Sequence, residues 1–300
     1  MSLEDPIAYL PRIRTYYAAL GYGAPYVWAR FADVPFQPLP KPLNQCRIAL
    51  VTTAALYQAD KGDQGPGAPY NAAAKFYRVY AGDTAGNPDV RISHVAIDRQ
   101  HTTGQDQNTY FPLPALRRAV SAGRVSAITS EFFGLPTNRS QRTTTEADCV
   151  DLVVRVKAEA ADAAILVANC PICHQSVSLA ARALEDAGIA TVIMGCARDI
   201  VEHIGVPRFL FSDFPLGNAA GRPGDLLSQD VTLGLALDLL ERATAARSTL
   251  TSPLQWNSDQ TWKHDYCNIA RLSAEDIAAR RAEFDRGKES AREIRGKPRW

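Results

Sequence analysis

Short apolar runs recur along the central part of the chain, bounded by polar residues or by segments rich in glycine and proline. The first run, residues 48–53, ends in Thr52 and Thr53 and leads into a loop at residues 61–69. Runs of roughly four to eight residues bounded by turn-forming residues are typical of buried β-strands. Further strands of this kind are predicted at residues 90–97, 125–133, 163–168, 191–194 and 209–211.

Two of the segments between these runs have helical periodicity. In one, apolar residues recur at i, i+3, i+4 and i+7 from Val177 to Leu184, and Gly188 follows where a helix C-cap is expected. In the other, Val150, Val153 and Val154 share one face. Strands that alternate with helices predict an α/β fold, with an open, mostly parallel sheet flanked by helices in Rossmann-like layers.

The two ends of the chain differ in composition from this central part. Residues 1–45 contain a short helical candidate, residues 7–20, followed by a proline-rich stretch. Residues 246–300 contain a charged helix that is predicted to begin at a Ser-Ala-Glu-Asp cap. We therefore predict an N-terminal arm at 1–45, an α/β domain at 46–245 and a C-terminal extension at 246–300.

Charge and cysteine content narrow the function. The chain has 33 Lys and Arg against 32 Asp and Glu, a formal net charge of +1, which favours neither nucleic acid nor an anionic membrane as a partner. Residues 1–6 lack the pattern of a secretion signal, and no apolar run approaches the ~20 residues that span a bilayer. Six cysteines in 300 residues are too sparse for a disulfide scaffold. This cysteine content suits a reducing compartment, so we expect a cytoplasmic protein. We also expect it to be an oligomer.

The strongest chemical signal is the pair Cys170 and Cys173. The predicted strand ends directly before Cys170, and a predicted helix follows, so both thiols fall on a strand-to-helix turn at the sheet edge that binds ligands. Unpaired N–H groups at a helix start favour a thiolate, which makes Cys170 the candidate nucleophile. Cys173, one helical turn later, could release an adduct as a disulfide, and His174 could supply local charge.

Other readings of the pair remain open. A zinc site would need about four ligands, and Cys196 with a histidine could complete one around the pair; without turnover, such a dithiol would be a zinc-binding or thiol-sensing module. Cys170 could instead face Cys196 or Cys46 across a cleft as acid and base, as in cofactor-independent racemases. The two cysteines could also be small apolar core residues.

Over residues 48–225 the chain resembles the B-type subunits of the glycine, betaine, sarcosine and D-proline reductases, and within that family it most resembles the short subunit of the D-proline type. No single matching segment identifies this family, but the order and spacing of the segments together do. The matching segments are Val51–Tyr57, Ser93 and His94 with Asp98, Asn108–Leu113, the strand and helix around Cys170 and Cys173, and Phe214–Asn218.

The resemblance implies a reductase that cleaves a C–N or related bond of a small amine or amino acid. In that family the first position of the pair is typically selenocysteine, which attacks the carbon next to nitrogen. A pyruvoyl group on a separate subunit holds the amine as an imine. Cys170 takes the place of the attacking residue here, and Cys173 that of the resolving thiol. The resemblance implies no metal and no cofactor bound by this chain, and a pyruvoyl-bearing partner subunit.

Several further polar residues lie at or near predicted strand ends, where substrate contacts or acid-base groups are expected. The alternative role of each is a hydrogen bond that orders a loop. These candidates are Thr52, Thr53, His94, Asp98, Glu131, His174, Cys196 and Asn218.

Overall fold

The computed structural model describes residues 5–296, so residues 1–4 of the predicted arm and 297–300 of the predicted extension lie outside the described part. Its strands, in chain order, are β1 (Arg47–Thr52), β2 (Ala55–Leu56), β3 (Tyr80–Asp83), β4 (Val90–Arg91), β5 (Ala127–Ile128), β6 (Glu131–Gly134), β7 (Ala163–Val167), β8 (Ala190–Gly195), β9 (Arg208–Phe211) and β10 (Ser248–Thr251).

Eight α-helical segments are described. They are α1 (Tyr9–Ala19), α2 (Leu113–Ser121), α3 (Gln141–Thr143), α4 (Cys149–Ala158), α5 (Pro171–Asp186), α6 (Arg198–Ile204), α7 (Leu226–Arg242) and α8 (Ala274–Gly296), and a π-helical turn, Thr144–Asp148, joins α3 to α4. Short 3-10 turns lie at Leu43–Gln45, Ala72–Ala74, Gln107–Thr109, Thr261–His264 and Ile269–Arg271. None of the described helices combines the length and apolar character needed to cross a bilayer.

The central sheet has the order β10-β9-β8-β7-β1-β6-β3, with β5 also paired to β1. Every pair in it is parallel except β3 with β6 at one edge. This confirms the predicted α/β fold. From β1 the chain builds β5 and β6 on one side and then crosses to β7 on the other, so the direction of winding reverses between β1 and β7. Ligands of open α/β sheets bind in the crevice at such a point.

The apolar run at residues 90–97 does not form a strand of this sheet. Only Val90–Arg91 is extended, and it pairs antiparallel with β2 in a separate two-stranded sheet. Ile92, Val95 and Ile97 are buried, but from a loop whose carbonyls accept hydrogen bonds from the Arg99 guanidinium. The apolar content of residues 90–97 correctly predicted that most of them are buried. It could not predict a strand, because a strand also needs the free edge of a neighbouring strand to pair with.

The predicted helix at Val150 forms, with the opposite face buried. Val150 and Val154 are exposed, while Cys149, Leu152 and Val156 face the core. Both faces of α4 carry apolar residues at helical spacing, so periodicity could not choose between them.

The terminal segments pack on the α/β core. The predicted N-terminal helix is confirmed as α1, and the charged C-terminal helix as α8, where the Ser273 hydroxyl accepts from the backbone N–H of Asp276. Farther along the arm, the Gln37 carbonyl accepts from the buried Arg208 side chain at 2.6 Å. Strand β10 lies beyond residue 245 but pairs with β9, so the sheet continues into the segment predicted as an extension.

Candidate active site

Cys170 forms the N-cap of α5. Its backbone is extended, with φ −138° and ψ 170°, and its sulfur accepts a hydrogen bond from the backbone N–H of Cys173 at 3.2 Å. Pro171 occupies the first helical position, where a missing N–H costs nothing. The cysteine sulfur therefore takes the place that a serine or aspartate oxygen usually has at a helix start, next to unpaired backbone donors.

The two thiols of the pair differ in acidity. Burial acts to raise the pKa of Cys170, but hydrogen bonds from the Cys173 thiol, the Cys173 N–H and the Ala96 N–H, with the charge of Lys75, outweigh it, and the pKa is lowered. Burial raises the pKa of Cys173 well above its usual range, and the hydrogen bond to Cys170 raises it further. Cys170 is thus the more acidic thiol of the pair, and the Cys173 thiol donates to it.

Thr53 and Asn169 form the floor beside the pair, at the carboxyl ends of the adjacent strands β1 and β7. The Thr53 hydroxyl donates to the Val167 carbonyl at 3.2 Å and accepts from the Asn169 backbone N–H and side-chain amide at 3.2 and 3.1 Å. A hydrogen bond between the Thr53 and Cys173 side chains also acts to lower the pKa of Cys173. These bonds tie the two strands together where the winding reverses.

His94 reaches the same point from the loop after β4. Its Nε2 lies 3.1 Å from the Thr53 carbonyl, which can only accept, so Nε2 carries the proton. Burial, together with the charge of Lys75, lowers its pKa to about 4. The ring is therefore neutral, and its Nδ1 is a bare acceptor. Neither this Nδ1 nor Asn169 Oδ1 receives a hydrogen bond from the described residues, although both are buried.

His174 does not supply charge to Cys170. Its Nδ1 lies 2.7 Å from the Cys170 carbonyl, and its Nε2 accepts from the backbone N–H groups of Cys196 and Ala197 at 2.8 and 3.0 Å. Burial lowers its pKa to about 4. This neutral ring joins the turn after β7 to the turn after β8, so its role is to fix the backbone on which Cys170 sits.

Asp98, Asn218 and Thr52 also lie at the carboxyl edge of the sheet. Burial raises the pKa of Asp98 to about 6, and its Oδ2 has no donor among the described residues. The Asn218 amide donates to Thr102 Oγ1 at 2.6 Å, and the Thr52 hydroxyl donates to the Tyr110 carbonyl at 3.3 Å. Asn218 and Thr52 therefore order loops, whereas Asp98 retains an unused acceptor.

The structure does not bring Glu131 to this edge. The run at residues 125–133 divides into β5 and β6, and Glu131 is the exposed first residue of β6, opposite Asp83 of β3. Because β6 runs parallel to β1, its first residue lies away from the carboxyl edge that carries Cys170.

The other cysteines considered as partners are placed differently. Cys46 directly precedes β1, at the opposite edge of the sheet, and its thiol donates to the Lys41 and Pro42 carbonyls at 3.4 Å. Cys196 follows β8 at the same edge as Cys170, but burial raises its pKa strongly, and the charge of Asp213 adds to this. Cys46 therefore cannot face Cys170 across a cleft.

The geometry does not favour a zinc site around the pair. His174 uses both ring nitrogens in bonds to backbone groups, so it has no lone pair for a metal. In the part of the chain that the structure describes, no three His, Cys, Asp or Glu side chains are arranged to hold a metal ion.

Three tyrosines from distant parts of the chain lie near Cys170, and sequence reasoning missed them. Burial is the largest cause that raises the pKa of Tyr17, Tyr70 and Tyr266, and the negative charge of Cys170 adds to each. We call these three residues the tyrosine group. Cys170 is only 4% exposed. Tyr17 belongs to the predicted arm and Tyr266 to the predicted extension, and no motif links them to the cysteine pair.

Two cavities lie away from the sulfurs. One of about 700 Å³ is lined by Arg30, Phe31, Ala32, Glu202, His203 and Arg247 at the end of α6. The other, of about 10 Å³, is bordered by Ser93, Arg99 and Tyr110 and has room for about one water molecule. Neither of these two cavities is lined by Cys170 or Cys173.

The chain is 28% identical to the D-proline reductase subunit gamma of Acetoanaerobium sticklandii over 222 residues, which cover 73% of this chain and 88% of that protein. No family model matches the chain, and no solved structure gives a significant match. The similarity thus extends over most of both chains.

Proposed function

We propose, from the premise that this chain is of the D-proline and glycine reductase type, that it is the thiol-bearing subunit of a reductase acting on a small amine or amino acid. The observation that carries the proposal is the unequal pair, in which Cys170 has a lowered pKa and Cys173 a raised one. A thiolate beside a protonated thiol is what attack followed by disulfide release requires.

The proposed reaction uses the pair as a two-electron donor. The Cys170 thiolate attacks the substrate carbon next to nitrogen; a C–S bond forms, the C–N bond breaks, and its electron pair stays on nitrogen, which takes a proton. Cys173 then attacks the Cys170 sulfur, so that an S–S bond forms and the C–S electron pair moves to carbon, which is protonated. The substrate is reduced, the pair becomes a disulfide, and an external dithiol restores it.

Two buried acceptors suit a substrate that carries N–H groups. His94 Nδ1 and Asn169 Oδ1 receive no hydrogen bond from the described residues, and buried acceptors are rarely left so without a ligand or water. Both residues bond to Thr53, which borders Cys173. They would hold a substrate nitrogen while Cys170 approaches the adjacent carbon.

We assign the activation of the substrate C–N bond to a partner subunit. A pyruvoyl group on a partner subunit, joined to the substrate amine, would make that nitrogen a better leaving group, which a sulfur nucleophile needs more than a selenium one. We propose that the assembly is an oligomer and that it works in a reducing compartment, the cytoplasm. All six cysteines are unpaired, which supports this compartment.

The test is differential alkylation of the purified chain at mildly acidic pH, followed by peptide mapping. Cys170 should react faster than Cys149, a buried cysteine whose pKa burial raises to about 12. Mild oxidation should remove two hydrogens from the intact mass of the wild type, and a Cys173→Ser variant should not form this disulfide. The intact mass also distinguishes sulfur from selenium at residue 170.

The proposed function would be contradicted if Cys170 reacts no faster than Cys149 and never forms a disulfide with Cys173. Turnover of an amino acid without any reductant would instead indicate racemase chemistry, and a molar equivalent of zinc lost in Cys173→Ala would indicate a metal-binding module.

A further inference from the structure

The larger of the two cavities lies outside the thiol site, where three distant parts of the chain meet. The arm crosses the end of α6, since the Phe31 N–H donates to the Ile204 carbonyl at 3.1 Å. Arg247, directly before β10, donates from its side chain to the Phe31 and Ala32 carbonyls at 2.8 and 3.1 Å. The space between these segments has a volume of about 700 Å³. It is lined by Arg30, Phe31, Ala32, Glu202, His203 and Arg247.

Arg247 is held in a fixed position at the wall of this cavity. Only its Nη2 has acceptors among the described residues, so Nε and Nη1 remain available as donors. Its backbone has φ +62°, in the left-handed region that a residue with a side chain rarely adopts. Backbone strain of this kind clusters at functional sites. A Cβ on Gly205 would lie 2.9 Å from Arg247 Nη2, so this glycine makes room for the guanidinium.

Two further nitrogen-bearing side chains line the same space without a partner. Within the described part of the chain, the side chains of Arg30 and His203 form no hydrogen bond and no ion pair. The carboxylate in the lining, that of Glu202, is paired with Arg198 at 2.9 Å. The lining therefore has two guanidinium groups with free donors and a carboxylate that is already neutralised.

The negative end of the α6 dipole, which would repel an anion, is already capped. The Ile204 carbonyl accepts from the Phe31 N–H, and the Gly205 carbonyl accepts from Arg182 Nη1 at 3.0 Å. The Arg182 guanidinium also lies over the Phe31 ring, 4.0 Å from its centroid. Arg182 thus adds a third guanidinium beside the cavity.

We propose that this cavity binds a small molecule that carries a phosphate group. Arg30 and Arg247 would donate to its oxygens, because guanidinium groups bind phosphate through paired, charge-assisted hydrogen bonds. A phosphate monoester carries about −1.5 to −2 charges and three acceptor oxygens, so it can serve both groups at once. The cavity is larger than a phosphate, which leaves room for an organic part beside Phe31, whose side chain is 37% exposed. This site is independent of the proposed function at Cys170.

The experiment is a titration of the full-length chain with inorganic phosphate at pH 7 and constant ionic strength, followed by phosphorus NMR line broadening. The wild type should show saturable binding. Arg30→Gln should raise the dissociation constant about tenfold, since it removes one charge-assisted contact to the anion. Arg30→Lys should raise it less, because the charge stays and only the forked geometry is lost. Phenyl phosphate should bind more tightly than inorganic phosphate, because its ring can pack against Phe31.

Arg78→Gln is the matched control. Arg78 is also an exposed arginine without a partner in the described chain, but it precedes β3, at the opposite edge of the sheet from β10. The variant removes the same charge, so its dissociation constant should equal that of the wild type. Arg30→Gln should also keep the wild-type thermal midpoint, because Arg30 has no bond in the described part of the fold that the substitution would break.

A wild type without saturable phosphate binding overturns the inference. Equal weakening in Arg30→Gln and Arg78→Gln also overturns it, because general attraction to a positive charge would then account for the binding. Succinate that binds as tightly as phosphate at the same ionic strength would overturn the choice of phosphate. Phenyl phosphate that binds no more tightly than inorganic phosphate would overturn the organic part of the ligand.

Discussion

Two neutral histidines flank the cysteine pair, and this fixes how the thiolate is stabilised. Burial lowers the pKa of both His94 and His174 to about 4, so neither offers an imidazolium to Cys170. The donors are instead the Cys173 thiol and two backbone N–H groups, with Lys75 as the nearby cation. Backbone donors at a helix start are already oriented, so they stabilise the thiolate without reorganisation.

Because His94 is buried in its neutral form, we predict that the free energy of unfolding falls in acid. Its pKa is about 4 in the fold against an ordinary 6.5, so its contribution is complete above pH 6.5 and is lost as the pH falls toward 4, where the unfolded chain binds the proton first. A His94→Gln variant keeps an N–H donor for the Thr53 carbonyl but does not titrate. Between pH 7 and pH 5 the wild type should lose about 2 kcal/mol more than the variant in urea denaturation.

The control is His203→Gln, which removes an imidazole at the end of α6, away from the thiols. It should follow the wild-type dependence on pH. The pKa of Asp98, raised to about 6 by burial, acts in the opposite direction but is common to all three proteins. Equal losses in His94→Gln and the wild type would show that the His94 ring is not neutral in the fold.

At the scale of elements, the approach of α5 to β8 fixes the position of His174. A Cβ on Gly195, the last residue of β8, would lie 2.6 Å from His174 Nε2 and 2.7 Å from its Cδ2. The ring cannot move aside without breaking its bonds to Cys170, Cys196 and Ala197. The glycine is therefore required by the histidine that orders the thiol turn.

Gly195→Ala should lower the free energy of unfolding by about 2 kcal/mol, because overpacking against a fixed side chain is costly. Gly234→Ala is the contrasting variant, since Gly234 lies within α7 and nothing stands within 4 Å of its added Cβ. It should raise the free energy of unfolding by about 0.5–1 kcal/mol. Urea denaturation at pH 7 measures both, and a Gly195→Ala protein as stable as the wild type would contradict the fixed ring.

At the scale of the whole molecule, the terminal segments complete the core and contribute side chains near the site. The Lys263 side chain is 2% exposed and forms an ion pair with Asp213, beyond the end of β9. Trp262 is also buried. Of the tyrosine group, Tyr17 comes from the arm and Tyr266 from the extension, so the surroundings of Cys170 include both ends of the chain.

Two truncations separate these roles. A chain ending at residue 245 lacks β10 and Lys263, so the edge of β9 is exposed and the Asp213 carboxylate loses its cation; its thermal midpoint should fall by about 10 °C or more. A chain ending at Leu272 lacks only α8 and should unfold cooperatively near the wild-type midpoint. Circular dichroism melts compare the two, and equal midpoints would show that the extension is not part of the core.

The sequence by itself determined the features that depend on neighbours along the chain. The order of strand, Cys170, Pro171 and helix predicts an N-cap thiol, because capping involves residues three apart. Apolar runs predicted buried segments, of which all but the run at residues 90–97 contribute to the central sheet, and the fold class followed from their alternation with helices. Gly188 was expected after α5, and it has φ +91°, which glycine adopts without strain.

Only the tertiary structure decided which distant residues meet at Cys170. Thr53 lies beside the pair because β1 pairs with β7, and the Tyr266 hydroxyl donates to the Ala96 carbonyl in the loop after β4. It likewise placed Glu131 away from the site and made His174 neutral. Local preferences act over a few residues, whereas strand order, burial and hydrogen bonding between remote segments are set by the packing of the whole chain.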